Sequence, residues 1–268
     1  MNLLKMGFAR KSSPNLIGIL MKEIEISNKR WIRRINHPAL FLTYDDGPNP
    51  AVTPRLLDIL KEVGASATFF VTGESLNQIE APSILRRMLA AGHTIGNHGQ
   101  LHSKSVYPDF EVSQRRIEVA CGVHTRIFRA PHGLKTQVAD YLQRDRSVVG
   151  FHWSRHFEDW LPVDLAKVAK QIPECVEPGA IVLLHDGSPR TEEYRDRSQV
   201  LALTEMIATE CQRRSIPLAG LASVYPALHR IRSESERVRE DKHANRSSIM
   251  ANTIATTISV FKHWCDSH

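Results

Sequence analysis

Between residues 38 and 221, short apolar runs rich in β-branched and aromatic side chains alternate with stretches of helical periodicity. That alternation restricts the chain to folds built on a mostly parallel sheet with crossover helices, either barrel or open. Strands are expected at residues 40–43, 67–71, 94–96, 126–128, 147–151, 180–184 and 216–221. Helices are expected at 52–63, 82–91, 110–121, 136–144, 165–175 and 199–214. Gly64, Gly92 and Gly122 each follow a helical pattern, where a left-handed cap needs a residue without a side chain. At 268 residues the chain is long enough for one large α/β domain. Its expected extent is 37–225, with an N-terminal extension over 1–36 and a charged C-terminal tail over 226–268.

Composition narrows the function classes. Net charge is +6 from 35 basic and 29 acidic residues, and the basic residues are dispersed, so nucleic acid is not expected as a partner. Cys121, Cys175, Cys211 and Cys265 form no Cys-x-x-Cys pair, which argues against a disulfide frame or a zinc ribbon and for a reducing compartment. The longest apolar stretch near the N-terminus, Leu16 to Met21, is shorter than the ~7–15 residues of a signal core, and no transmembrane segment is evident. A cytoplasmic location is the expectation; an export signal would require a different start site.

Chemistry concentrates where the expected strands end. The run Ala39-Leu40-Phe41-Leu42 leads into Thr43-Tyr44-Asp45-Asp46-Gly47-Pro48, two adjacent carboxylates held by a Gly-Pro turn in the crevice outside the strand ends. Like charges so close call for a metal ion or an arginine. His98-Gly99-Gln100-Leu101-His102 supplies two imidazoles four residues apart, on one face if the segment is helical. Such a pair is weak evidence alone, since 13 histidines in 268 residues give roughly 0.6 by chance, and His152 with His156 is a second one. The first is preferred because it follows another strand end and because a carboxylate ligand stands ready at Asp45 or Asp46. Two neutral histidines and one aspartate suit a catalytic zinc or a similar metal. Arg129, in Arg129-Ala130-Pro131-His132-Gly133, can pair with the remaining carboxylate. Asp159-Trp160 reads equally well as an ordinary loop. His185 leaves a fully apolar strand directly into a Gly turn, at the rim where functional groups gather in such folds.

In this order the five segments resemble the motifs of the polysaccharide deacetylases, carbohydrate esterase family four, with the NodB-homology domain. The resemblance covers roughly residues 38 to 221. It implies a distorted (β/α) barrel with about seven parallel strands, a divalent metal, commonly zinc, and hydrolysis of an N-acetyl or related acyl group from an amino sugar or oligosaccharide. It further implies Asp46, His98 and His102 as metal ligands, Asp45 as the base that takes a proton from the attacking water, and Arg129 as the group that holds Asp45. His185 would protonate the leaving amine, oriented by Asp159. Trp160 and Leu183 would wall the acyl pocket, and in the Pro131-His132 turn the backbone N–H of His132 would help stabilise the oxyanion. Two positions depart from the family pattern. Gly99 stands where Ser or Thr is usual, which bears on ligand rigidity, and His132 stands where Tyr or Phe is usual, which bears on the sugar-facing surface. Rival readings are an amide hydrolase of the same scaffold acting on a lipid-linked sugar or a cyclic amide, and a catalytically silent carbohydrate-binding protein.

Overall fold

The structure is a computed structural model that describes residues 31–103, 106–134, 148–190, 195–224 and 229–231. Up to residue 224 its strands are, in chain order, β1 (Trp31–Ile32), β2 (Phe41–Asp45), β3 (Thr68–Val71), β4 (Thr94–Asn97), β5 (Val123–Thr125), β6 (Ile127–Phe128), β7 (Val149–Phe151), β8 (Arg155–His156) and β9 (Ile181–His185). All of these except β5 join the main sheet, in the order β1-β7-β6-β4-β3-β2-β9-β8, with parallel neighbours throughout. Helices α1 (Thr53–Glu62), α2 (Ala81–Ala90), α3 (Val106–Cys121) and α4 (Leu165–Cys175) lie on crossovers between strands, and α5 (Gln199–Arg213) follows β9. The described elements up to Arg230 belong to one compact unit.

Local chemistry sets the helix ends. α1 and α2 carry proline in their first turn, where its missing N–H costs nothing. Asp164 caps α4 by accepting from the N–H groups of Ala166 and Lys167. Gly64 and Gly92 take φ of 65° and 78°, and beyond them Ala65 N–H reaches Leu60 O at 2.8 Å and His93 N–H reaches Met88 O at 2.9 Å. These are the wrap-around bonds of a left-handed cap.

Strand pleating sorts the core into two layers. Leu40, Leu42, Tyr44, Val182 and Leu184 face the helices, packing with Leu56, Leu60, Leu203 and Ile207. Phe41, Phe70, Ile127, Val149, Phe151 and Ile181 face inward and form an apolar floor. Burying one such phenylalanine contributes roughly 2 kcal/mol. The sheet curls into a distorted half-barrel, since Arg129, just past β6, donates to Thr43 on β2 although β4 and β3 lie between those strands. Along β2 the inward series therefore climbs from Phe41 through Thr43 to Asp45, and along β9 from Ile181 through Leu183 to His185.

Three expectations are revised. Residues 216–221 do not form a seventh strand: Leu218 makes a single bridge to Leu40, followed by a turn of 3₁₀ helix over Leu221–Ser223. From Thr43 onward both edges of β2 are occupied, by β3 on one side and β9 on the other, so the bridge at Leu40 cannot extend up the strand, and Pro217 offers no donor. The sheet instead gains β1 and β8, and it begins at Trp31, inside the stretch expected as the N-terminal extension. The main sheet that results has eight strands, in keeping with a distorted barrel of about seven. The helix expected at 136–144 lies outside the described residues, as do residues 1–30 and nearly all of the expected tail. Among the described residues, no helix is long and apolar enough to cross a membrane, and Cys121, Cys175 and Cys211 form no disulfide.

Candidate active site

The first carboxylates sit where β2 ends. Asp45 and Asp46 are both buried. Asp46 adopts a φ of 71°, in the left-handed region that Asp tolerates better than most side chains, while its N–H donates to Phe70 O at 3.2 Å. Two glycines make room for the turn. A Cβ on Gly187 would overlap the Asp46 carbonyl, and one on Gly47 would overlap the Asp186 carboxylate. Asp186, fully buried, accepts a hydrogen bond from the Thr53 hydroxyl, which itself accepts from Asn49 N–H. Burial lifts Asp186 to a pKa of about 7 against the opposing pull of the Thr53 bond. The residue after His185 thus fastens the loop that carries Asp46.

Arg129 is fully buried, with its guanidinium used on every side. Nη1 donates to Asp45 Oδ1 and to Thr43 Oγ1, each at 2.8 Å; Nη2 donates to His152 O at 3.1 Å and Nε to Phe151 O at 3.3 Å. Its central carbon lies 4.3 Å from the Phe70 ring centroid. Burial draws the guanidinium pKa down, opposed by the charge and hydrogen bond of Asp45. A buried cation is tolerable here because its partner is anionic and its donors are bonded.

The histidines come together by a turn. Residues 98–103 are not helical, so the four-residue spacing does not act through a helix face as the sequence allowed. Gly99 at φ 82° and His102 at φ 51° fold the segment back on itself. His98 Nδ1 donates to Arg129 O at 2.8 Å, which leaves the Nε2 electron pair directed at the carboxylates. Nε2 lies 3.4 Å from Asp46 Oδ1 and 3.6 Å from Asp45 Oδ2, and His102 Nε2 lies 3.5 Å from Asp46 Oδ1. Burial pushes His98 down to a pKa of about 3 and, with the neighbouring imidazoles, His102 to about 2, so both rings stand neutral with their Nε2 electron pairs available.

Among the described residues, Asp46, His98 and His102 are the one group of three or more His, Cys, Asp or Glu whose ligand atoms all lie within 4.8 Å of one another. Their donor set fits a divalent cation: two neutral imidazole nitrogens and one carboxylate, with positions left for water and substrate. Gly99 does not leave the turn slack. Its N–H donates to Asn97 Oδ1 at 2.8 Å, its carbonyl accepts from Gly73 N–H at 2.8 Å, and Gln100 O accepts from Glu74 N–H at 2.8 Å.

Across the mouth, Asp45 and His185 are register partners on adjacent strands. His185 Nδ1 donates to Asp159 Oδ1 at 2.9 Å, and its backbone N–H donates to Asp159 Oδ2 at 2.6 Å. Burial would lower the His185 pKa, but the charge and hydrogen bond of Asp159, aided by Asp46 and Asp45, raise it to about 9. Asp159 is fully buried, and Gln199 Nε2 donates to its carbonyl at 2.7 Å. The pair is that of an imidazolium with its orienting carboxylate. The Trp160 ring stands edge-on to His185, 5.5 Å between centroids, and Leu183 lies buried one inward step below His185. Pro131 is buried against Gly99, while His132 is exposed, with φ 56° and its ring 4.3 Å from that of His102.

The second histidine pair separates: His152 is buried and lends its carbonyl to Arg129, whereas His156 is exposed. Sequence reasoning passes over Asn97, Asp186 and Gln199. Only Asp186 carries a signal, as the acid beside His185 before a glycine; the roles of the other two depend on contacts distant in sequence.

The family model for polysaccharide deacetylases matches residues 33–147. A chitooligosaccharide deacetylase of Sinorhizobium fredii is 32% identical over 200 residues, covering 72% of this chain and 86% of that protein. One of Bradyrhizobium sp. is 34% identical over 205 residues, covering 71% and 90%. In fold, the solved Bc1960 peptidoglycan N-acetylglucosamine deacetylase superposes with a TM-score of 0.64 at 22% identity, covering 75% of this chain and 95% of that one. With sequence relatives matched over most of their length and a shared half-barrel beneath the site, this chain belongs to the polysaccharide deacetylase family.

Proposed function

We propose that the protein hydrolyses the N-acetyl group of an amino-sugar oligosaccharide, using a divalent cation, zinc, held by Asp46, His98 and His102. The observation that carries this reading is the placement of Asp45. It is tied through Oδ1 to Arg129 at 2.8 Å while Oδ2 faces the ligand set, 3.6 Å from His98 Nε2. A cation held by those three residues supplies Lewis-acid activation of a water molecule and of the amide carbonyl.

The chain's own groups do the rest. Asp45 Oδ2 takes the proton of the attacking water, with Arg129 keeping the carboxylate aimed. The backbone N–H of His132 donates to the oxyanion that develops on the carbonyl oxygen. His185, its Nδ1 occupied by Asp159, delivers a proton from Nε2 to the leaving nitrogen, so that the C–N bond breaks to acetate and a free amine. Leu183 and Trp160 wall the acyl methyl and exclude bulk water.

The deciding experiment is acetate release from N-acetylglucosamine oligomers by wild type and Asp45→Asn, each stripped of metal and then given zinc. Release that needs the metal and is lost in the variant supports the reading. A folded, zinc-loaded wild type that releases none overturns it, in favour of a non-sugar amide substrate or a silent carbohydrate binder.

A further inference from the structure

Outside the reacting groups, rings continue along the lip of the half-barrel. From His185 the path runs to Trp160, then to His156, whose ring lies 5.7 Å from that of Trp160 and only 20° from parallel to it. Trp153 follows, edge-on to His156 at 6.5 Å. It borders the motif turn at Gly133, where an added Cβ would sit 2.7 Å from the Trp153 ring. The lane therefore skirts the site from the imidazole of His185 to the loop of His132.

Strand register explains why His156 is accessible. β8 pairs with β9 so that His156 sits opposite Leu183, which in turn pairs with Thr43 on β2. Paired residues in a ladder share a face, so all three point into the half-barrel. Thr43 and Leu183 are buried, but β8 is the last strand of the sheet and His156 is exposed. Trp153 packs against the inner apolar floor, so core packing accounts for it; core packing does not account for a solvent-exposed imidazole lying flat on an indole. A second ion site is not built there either, since among the described residues His156 joins no group of three ligand side chains.

We propose that His156 and Trp160, bordered by Trp153, form a stacking subsite for the pyranose ring adjacent to the one that carries the acyl group. The inference rests on the deacetylase reading above. It makes the groove a reader of at least two linked sugars. A pyranose presents a face of C–H bonds that packs on aromatic rings, while its hydroxyls meet the donor and acceptor nitrogens of an imidazole. The site would thus favour an uncharged, N-acetylated oligomer over a lone monosaccharide.

Steady-state kinetics of zinc-loaded wild type, His156→Ala and His156→Phe on the N-acetylglucosamine tetramer provide the test. His156→Ala should raise KM about five- to tenfold, the loss of one ring stack, with kcat within about twofold and zinc affinity unchanged. His156→Phe should recover most of the KM. An unchanged KM in His156→Ala, or a kcat that falls together with zinc affinity, overturns the subsite and leaves the deacetylase reading standing. Failure of the wild type itself to deacetylate any oligomer overturns both.

Discussion

Arg129 and Asp45, 84 residues apart, meet through a 2.8 Å hydrogen bond inside the half-barrel, and neither is open to solvent. Removing the guanidinium would leave a buried carboxylate uncompensated, a loss on the order of 3–5 kcal/mol. Arg129→Met should therefore be strongly destabilised in urea melts. Arg129→Lys should fold better yet lose activity by roughly a hundredfold or more, because one ammonium cannot reach Asp45, Thr43 and two carbonyls at once. A lysine variant with near-wild-type kcat would show that Asp45 needs charge alone.

In the proposed reaction the His185–Asp159 pair should set the alkaline limit. With a pKa raised to about 9, His185 holds its proton throughout the neutral range, so kcat should fall as pH rises through about 9. Asp159→Asn should move that fall toward lower pH and cut kcat across the range. The same shift acts on stability: the folded protein binds this proton more tightly than the unfolded chain. The contribution is complete below pH ~6.5 and vanishes as pH climbs through about 9. A pH-rate profile whose alkaline limb is identical in the two proteins would remove His185 from the acid role.

His93 acts at the other end of the scale and away from the reaction. Buried, with Ala67 N–H donating to its Nδ1 at 3.1 Å, it is pushed down to a pKa of about 4 by burial and by Arg87. Here the unfolded chain binds the proton first. His93 therefore supports the fold above pH ~6.5, and that support is lost as pH falls toward about 4. In urea melts the stability gap between zinc-loaded wild type and His93→Gln should be widest near neutrality and narrow steadily as pH falls toward about 4. A gap that stays constant across that range would mean that folding leaves the His93 proton affinity unchanged.

Gly99 is favoured by its backbone. At φ 82° a side chain costs about 1–2 kcal/mol, and the space beside it is otherwise ordinary, 3.5 Å from an added Cβ to Pro131. Gly99→Ser, although it restores the hydroxyl usual in the family, should weaken zinc binding about tenfold, with Gly99→Ala equal to it. Calorimetric titration of zinc checks this; tighter binding in the serine variant would mean that the turn adapts.

Gly47 and Asp186 should show strong coupling. Gly47→Ala drives a methyl into the Asp186 carboxylate and is expected to cost about 1–3 kcal/mol from overpacking. Combined with Asp186→Ala, the clash disappears, so the double variant should be more stable than the sum of the single losses allows. Additive losses in urea melts would mean that the loop relaxes elsewhere.

The parallel α/β architecture is legible in the sequence because period-two and period-3.6 patterns alternate cleanly, and α4 coincides with the helix expected at 165–175, its start held by the Asp164 cap. β1 and β8 are not legible, since two-residue strands have no period to detect. The strand expected at 216–221 fails for a different reason: its composition is suitable, but from Thr43 onward both edges of β2 are already taken. At the site, the segments with local chemistry stand out, while Thr43, Asn97 and Gln199 look like ordinary polar residues until the fold brings Arg129, Gly99 and Asp159 to them.

A pleated strand sends successive side chains to opposite faces, so two neighbouring carboxylates could not both serve one pocket if β2 ran straight through Asp46. The left-handed turn at that residue cancels the alternation for a single step. Aspartate at position 46 therefore answers two demands, the carboxylate that the proposed cation site needs and the dihedral that the turn imposes. Asp46→Asn would keep the backbone and forfeit the charge, and Asp46→Glu would keep the charge on a backbone less suited to carry it. Substitution at this position is thus constrained from two independent directions, the charge of the side chain and the hand of the backbone.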